Sequence, residues 1–532
     1  MDKRPGKRLN KRLFVSLIIC LALAGILVWR LGAGPVLGAD EKSSEPKEQV
    51  SAGPVKDVLK SQLAGSWYPA DAGQLRTQIG EFFQKAEVEP IDNVIALILP
   101  HAGYRYSGQT AACALKTVGS VYERVVIIGP SHHARMEEML SVPRVTHYET
   151  PLGQIPLDTE FIEKLLKFPM FQNFPYAHQH EHSVQIELPL VQFRQKNFRL
   201  VPIVAGDCSA KTVAKAGEIL KGLIDERTLV IASSDFVHYG PRYTYVPFKE
   251  NVAEQIKKLD MGAYEYIAKL DADGFLGYKK KTGAKICGSV PIAILLSILD
   301  KSTKANLVKY ATSGELTGDF TNSVSYLAVA FAGTWQKSLE VKPQRGDSQL
   351  TERDKQRLLT LARKTLIYAL ENRKVPNPSD LGVEISPVMA RPRAAFVTLK
   401  KDSRLRGCIG DIYPQRPLYK SVITNAINAA FNDRRFSPLQ KDECGDVNIE
   451  LSVLTPPEPV GSPNEIRIGT DGMVIRKNGR SAVYLPQVAP EQGWDLAETL
   501  THLSRKAGLD PDAWKSGASF LVFQADVFGE QK

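Results

Sequence analysis

Among 532 residues there are only six cysteines, at positions 20, 113, 208, 287, 408 and 444, and no two stand close enough for a CxxC or zinc-binding repeat. Their scatter also excludes a disulfide framework, so each thiol is expected to be buried, bound to metal, or functional. Spare positive charge is equally scarce. Seven cations against one acid in residues 1–30 account for +6 of the net +10, which leaves +4 for the rest of the chain. That distribution argues against a nucleic-acid partner. Beyond Gln336, no acid, base and nucleophile assemble into one set, so the second half declares no chemistry of its own. Hydrophobic content of 43% with 24% charged residues is that of globular protein, and the length allows two or three domains with full cores.

What the chain does have begins at its N-terminus. Six cations precede Leu13–Trp29, a run of 17 uncharged residues followed by Arg30. Signal-peptide cores run about 7–15 residues and membrane spans about 17–25. The run is expected to be an uncleaved transmembrane helix, with a cleaved signal ending near Val36–Ala39 as the alternative. The cations would stay in the cytoplasm and put everything beyond the helix outside the cell. The expected organisation is a basic segment and membrane anchor over 1–30, a tether over 31–57, an α/β domain over 58–334, a linker over 335–350 and an α+β domain over 351–532.

Histidine is strongly clustered. Eight of the nine, at 101, 132, 133, 147, 178, 180, 182 and 238, fall within 138 residues. Several follow strands. Val94–Leu99 is a branched apolar run that stops at Pro100, with His101 next. Val125–Ile128 is a second, stopped by Gly129-Pro130 just before His132-His133. Ser107–Val118 between them has helical spacing, so the two strands are expected to form a parallel pair whose ends open on one edge of the sheet, where open α/β sheets place their sites. Leu229–Ala232 is a third such strand and runs into Ser233-Ser234-Asp235-Phe236-Val237-His238. Asp235 reads either as an orienting partner for an imidazole or as a cap for its turn. In Ala177–Pro189 the histidines alternate, and only His182 is expected at the site; helix entry and solvent account for His178 and His180. Cys287-Gly288 opens a helix over Pro291–Leu299. A thiol at a helix start tends towards a lowered pKa, which suits a nucleophile or metal ligand, while a buried structural cysteine is the alternative. In the second half Arg406 and Cys408 lie in Arg404–Gly410, where the arginines would activate the thiol or the glycines would merely make a tight turn. They are expected to border one cleft with the loop Tyr484–Trp494.

The motifs AGSWYP (64–69), LPHAGYRYSGQ (99–109), IIGPSHH (127–133), EHSVQIELP (181–189), SSDFVHYG (233–240) and ICGSVPI (286–292) together resemble the Memo family. LRGCIGD (405–411), NDRRFSPL (432–439), IELSVLTPPEPV (449–460) and LPQVAPEQGWD (485–495) resemble the AMMECR family. The pair looks like two components of the AmmeMemoRadiSam system fused in one chain. The resemblance implies a fold like that of class III extradiol dioxygenases and a metal held by His101, His132 and Cys287, with His238 as acid or base. Those dioxygenases hold iron with two histidines and a carboxylate; here Cys287 stands where the carboxylate is expected, so dioxygenase activity does not follow. For the AMMECR part it implies an α+β fold with no settled activity.

The resulting expectation is a metal-dependent redox or oxygen-using protein acting on a small molecule or peptide, with His238, Asp235 and His182 serving the chemistry. Its cofactor would be one transition-metal ion, iron or copper ahead of zinc. The alternative is a non-catalytic metal-carrying or peptide-binding module. The resemblance also implies a radical-SAM partner, which conflicts with export because such enzymes work inside the cell. An exported fusion would act without that partner or receive its product across the membrane.

Overall fold

Val94–Leu99 is buried at every position, and so are Val125–Pro130, Leu200–Ala205 and Thr228–Ser233. Residues without a solvent-facing side belong in the middle of a sheet covered on both faces, and there a computed structural model, which describes residues 56–336 and 349–530, places them. The first half is built on a nine-stranded sheet. From one edge it runs His238–Tyr239, Ser323–Ala332, Val94–Leu99, Thr228–Ser233, Arg124–Pro130, Arg199–Ala205, Leu140–Ser141 and Phe171–Gln172, with Lys304–Thr312 also paired to Ser323–Ala332.

Four neighbouring strands are parallel, yet the two expected to pair are not adjacent. Thr228–Ser233 lies between them, with Leu99 level with Ser233 on one side and Ala232 level with Ile128 on the other. Their direction is as expected: the C-terminal ends of all three strands open on one edge, and each runs straight into a candidate site residue. Ala177–Pro189 also differs from the single helix entry expected. It is broken into Tyr176–Gln179, His182–Gln185 and the start of Leu188–Arg194, with Glu181 capping the middle piece by accepting from the N–H of Ser183. The helix after Cys287 begins two residues earlier than expected, at Ser289–Ile298. It is apolar all round and packs on Thr228–Ser233, Arg124–Pro130 and the helix Ala210–Lys221. Burying each of its Leu and Ile side chains contributes about 1.5–3 kcal/mol, which fixes the start of this helix against the sheet edge.

The second half has its own cores. The antiparallel sheet Arg404–Gly410, Ala395–Lys401, Asn448–Leu454, Ala525–Gly529 packs against Glu352–Asn372 and Leu418–Ile427. A smaller sheet contains the hairpin Gly472–Lys477 and Arg480–Tyr484. Its turn, Asn478-Gly479, has positive φ at both residues, 51° and 74°, as an Asn-Gly hairpin signal requires.

The expectation of a single-pass membrane protein is corrected: the described fold is mixed α/β, and no described helix is long and apolar enough to cross a membrane. Leu13–Trp29, on which the anchor and the outward placement of both domains rested, lies outside the described residues, as do most of the tether and most of the linker.

His178 belongs to the core. It is buried between the hydroxyls of Ser141 (3.0 Å) and Tyr148 (3.4 Å), and burial pushes its pKa down from 6.5 to about 3. The folded state therefore holds this ring neutral while the unfolded chain protonates it. The stability this provides is complete above pH 6.5 and is lost as pH falls towards 3. By pH 4 about 3 kcal/mol should be gone through this residue. Urea melts at pH 7 and pH 4 should show a smaller acid loss in His178→Asn than in the parent; equal losses would show that the ring titrates normally in the fold.

Candidate metal centre

Each strand end delivers its residue with the ring already held. His101 follows Leu99-Pro100, and its backbone N–H donates to Asp235 Oδ1 at 2.8 Å. Its Nδ1 lies 2.9 Å from Ser233 Oγ. That hydroxyl in turn lies 2.7 Å from the carbonyl of Ser183, which can only accept, and 2.9 Å from Glu187 Oε1. With the serine proton directed there, Nδ1 of His101 is the donor to Oγ and Nε2 keeps its lone pair. His132 is held by Glu181, whose carboxylate accepts the backbone N–H at 2.6 Å and Nδ1 at 2.8 Å. Here too Nδ1 carries the proton and Nε2 is left as a donor atom for a metal. Burial alone would raise the carboxyl of Glu181, but its bonds from the ring and N–H of His132 outweigh that and hold it down at about 2. Glu181 therefore remains an anion in a buried position.

Cys287 meets this pair from the helix side. Its Sγ lies 3.0 Å from His101 Nε2 and 3.4 Å from the carbonyl of Asp235. Ligand atoms of His101, His132 and Cys287 all lie within 4.8 Å of one another. The expected lowering of the thiol pKa is corrected. Burial, and then the charge of Asp235, push the thiol up, and the helix start does not compensate. A thiolate in this setting needs a cation among the three atoms to hold it. Two bare imidazole nitrogens and a thiol are a set that suits a transition metal. A second group, His132, Glu181 and His182, is equally close, but Glu181 is already committed to His132 and Ser183.

The other candidates surround the three. His182 stacks on His132 with ring centres 4.2 Å apart and sits 4.6 Å from Trp67, and its pKa is pushed down to about 4, first by burial and then by His132. Asp235 does not hold an imidazole. Its carboxylate receives the backbone N–H of His101, and burial raises it to about 6. His238 has Nδ1 within 2.9 Å and 3.0 Å of the carbonyls of Phe236 and Lys285, so that nitrogen carries the proton and Nε2 is the basic atom. His132, His238 and Cys287 line one open cavity of about 1,040 Å³ together with Tyr243 and Lys279. Glu181, Glu187 and Ser233, which fix the rings, were not singled out by sequence reasoning. Glu181 also caps the helix start at His182, and its ring contact spans 49 residues.

In the second half Arg406 is taken up by Glu443, which it grips at 2.7 Å and 2.9 Å. Cys408 receives the hydroxyl of Thr398 at 3.3 Å, and its N–H donates to Asp433. Burial raises this thiol, against which Arg435 and Lys506 act. Lys506 also lies 4.7 Å over the ring of Tyr484, so Cys408 and the start of the Tyr484–Trp494 loop share a cationic neighbour.

Residues 60–330 match the Memo-like protein family and residues 359–528 the AMMECR1 family. The chain is 32% identical over 285 residues to a MEMO1 family protein of Aquifex aeolicus, covering 52% of this chain and 99% of that one. It is 34% identical over 283 residues to Protein MEMO1 of Danio rerio, covering 50% and 95%. A protein of Methanosarcina barkeri is 39% identical over 188 residues, covering 34% and 93%.

Gly288 shows why a glycine follows Cys287. A Cβ there would sit 2.3 Å from Ser234 Cβ and 2.4 Å from the carbonyl of Ser233, both part of the strand end that holds His101. Gly288→Ala should cost about 1–3 kcal/mol through overpacking. Gly277→Ala, in a helix with open space at that point, should be stabilising by about 0.5–1 kcal/mol. Urea melts of the two variants check the contrast; equal midpoints would refute the close approach.

Proposed function

This chain belongs to the Memo family and carries an AMMECR1 domain behind its Memo-like half, and on that premise we propose that it binds one transition-metal ion and carries out metal-dependent redox or oxygen-using chemistry on a small molecule or peptide. His101, His132 and Cys287 would hold the ion. Iron or copper is favoured over zinc, because both accept imidazole with thiolate and both change oxidation state. The observation that carries the reading is the double commitment of Nδ1: Ser233 and Glu181 leave both histidines with Nε2 as the free donor atom, near Cys287 Sγ. Buried carboxylate and hydroxyl partners of this kind raise ligand basicity and fix ring orientation.

The bound metal would supply Lewis acidity and an electron to give or take. The chain's own residues have separable tasks. Glu181 and Ser233 orient the rings, and Trp67 with His182 covers the side of His132. His238, its Nδ1 tied to two backbone carbonyls, offers Nε2 as a proton acceptor beside the substrate cavity. At about 1,040 Å³ the cavity lies just above the usual span of small-molecule sites, about 300–1,000 Å³.

Metal content of the untagged protein tests the reading. Cys287→Ser and His132→Ala should each fall below a tenth of the parent's content, while Glu181→Gln should lower affinity about 10–100-fold and His178→Asn should leave it unchanged. Full occupancy in both ligand variants would refute the assignment. His238→Gln should keep the metal and lose turnover with oxygen as co-substrate; loaded protein that never consumes oxygen or exchanges electrons would instead be a metal carrier.

A further inference from the structure

The two halves meet along a seam of specific bonds. The N–H of Glu137 donates to the carbonyl of Gln415 at 2.8 Å, Lys420 pairs with Glu137, and the rings of Phe174 and Tyr413 lie 5.4 Å apart. Beside that seam the halves border an open cavity of about 450 Å³, within the usual range of small-molecule sites. Phe168, Met170 and Ile219 of the first half and Tyr419 of the second give it apolar walls. Pro169, Arg391 and Pro392 line an adjoining cleft as well, so the cavity continues between the halves.

Once its ion pairs are counted, the wall carries an excess of positive charge. Glu138 is its only acid; the N–H and hydroxyl of Ser209 and the hydroxyl of Thr212 hold that carboxylate and leave it a single negative charge. Of the four cations, Lys420 is paired with Glu137 and Lys215 with Glu218. Lys211 from the first half and Arg391 from the second have no counter-ion among the described residues. An apolar cavity with a cation contributed by each half calls for a ligand with an apolar body and one anionic head. We propose that the seam between the halves is a second ligand site, for an amphiphilic organic anion whose carboxylate or phosphate head lies between Lys211 and Arg391. The site exists only when both halves are present. It also adjoins the metal-side cavity, because Ser209 lines both.

Isothermal titration of the full chain with laurate, dodecyl phosphate and neutral dodecanol, each below its micellar concentration, tests this independently of metal. At least one anion should bind with one-to-one stoichiometry and at least tenfold tighter than dodecanol, and the tighter of the two identifies the head group. The doubly reversed variant Lys211→Glu, Arg391→Glu should lose at least tenfold. The milder Arg391→Gln, checked for an unchanged melt, should lose a smaller share, and Cys287→Ser should bind as the parent does. Dodecanol binding as tightly as both anions, several equivalents bound, or unchanged binding in the charge variants would overturn the proposal. Each of those results leaves the metal assignment standing, since metal content is read separately.

Discussion

The arrangement at the sheet edge depends on the Nδ1 atoms of His101 and His132 being already engaged. A free imidazole presents either nitrogen and rotates. Here a serine hydroxyl and a buried carboxylate each fix one tautomer and one ring plane. Their positions depend in turn on the broken helical segment around Glu181, which reaches over the strand ends and caps its own next turn with the same carboxylate that grips His132. Fold and site therefore share bonds. A change at Glu181 would disturb a helix start and the candidate ligand His132 together, because one buried anion serves both.

Much of this was legible in the sequence because it is local. A branched apolar run ended by proline or Gly-Pro and followed by histidine declares a strand, its end and its cargo within ten residues. The Asn-Gly pair at 478–479 and the residue pattern of the strand Asn448–Leu454 are local signals of the same kind. The insertion of Thr228–Ser233 between two earlier strands was not, since strand order is set by pairing across about a hundred residues and leaves no local trace. Glu181 meets the ring of His132 across 49 residues, and nothing local marks that contact. For Cys287, the helix start suggested a lowered pKa, but burial against Asp235 decides, and burial is a property of the packed whole.

The second half teaches a related point about arginine. Beside Cys408 in sequence stands Arg406, but its guanidinium is committed to Glu443, and the cations that reach the thiol are Arg435 and Lys506 from elsewhere in the chain. Alternation along a strand puts residues two apart on one face, yet a long side chain turns to whichever carboxylate offers a bidentate bond. Adjacent motif letters are thus a weak guide to which charges act on a thiol.

The late arrival of the middle strand also bears on how the chain is made. Val94–Leu99 bonds to Thr228–Ser233 on one side and Ser323–Ala332 on the other, so a nascent chain that has emerged only to residue 220 holds it with neither edge paired. During that interval two of the most apolar strands in the molecule present open edges, the kind of template on which chains aggregate. The proposed metal ligands emerge over the same long interval, with His101 first and Cys287 last. Synthesis rate and chaperone cover between those points, more than the stability of the finished sheet, would therefore govern how much of the protein reaches its native state.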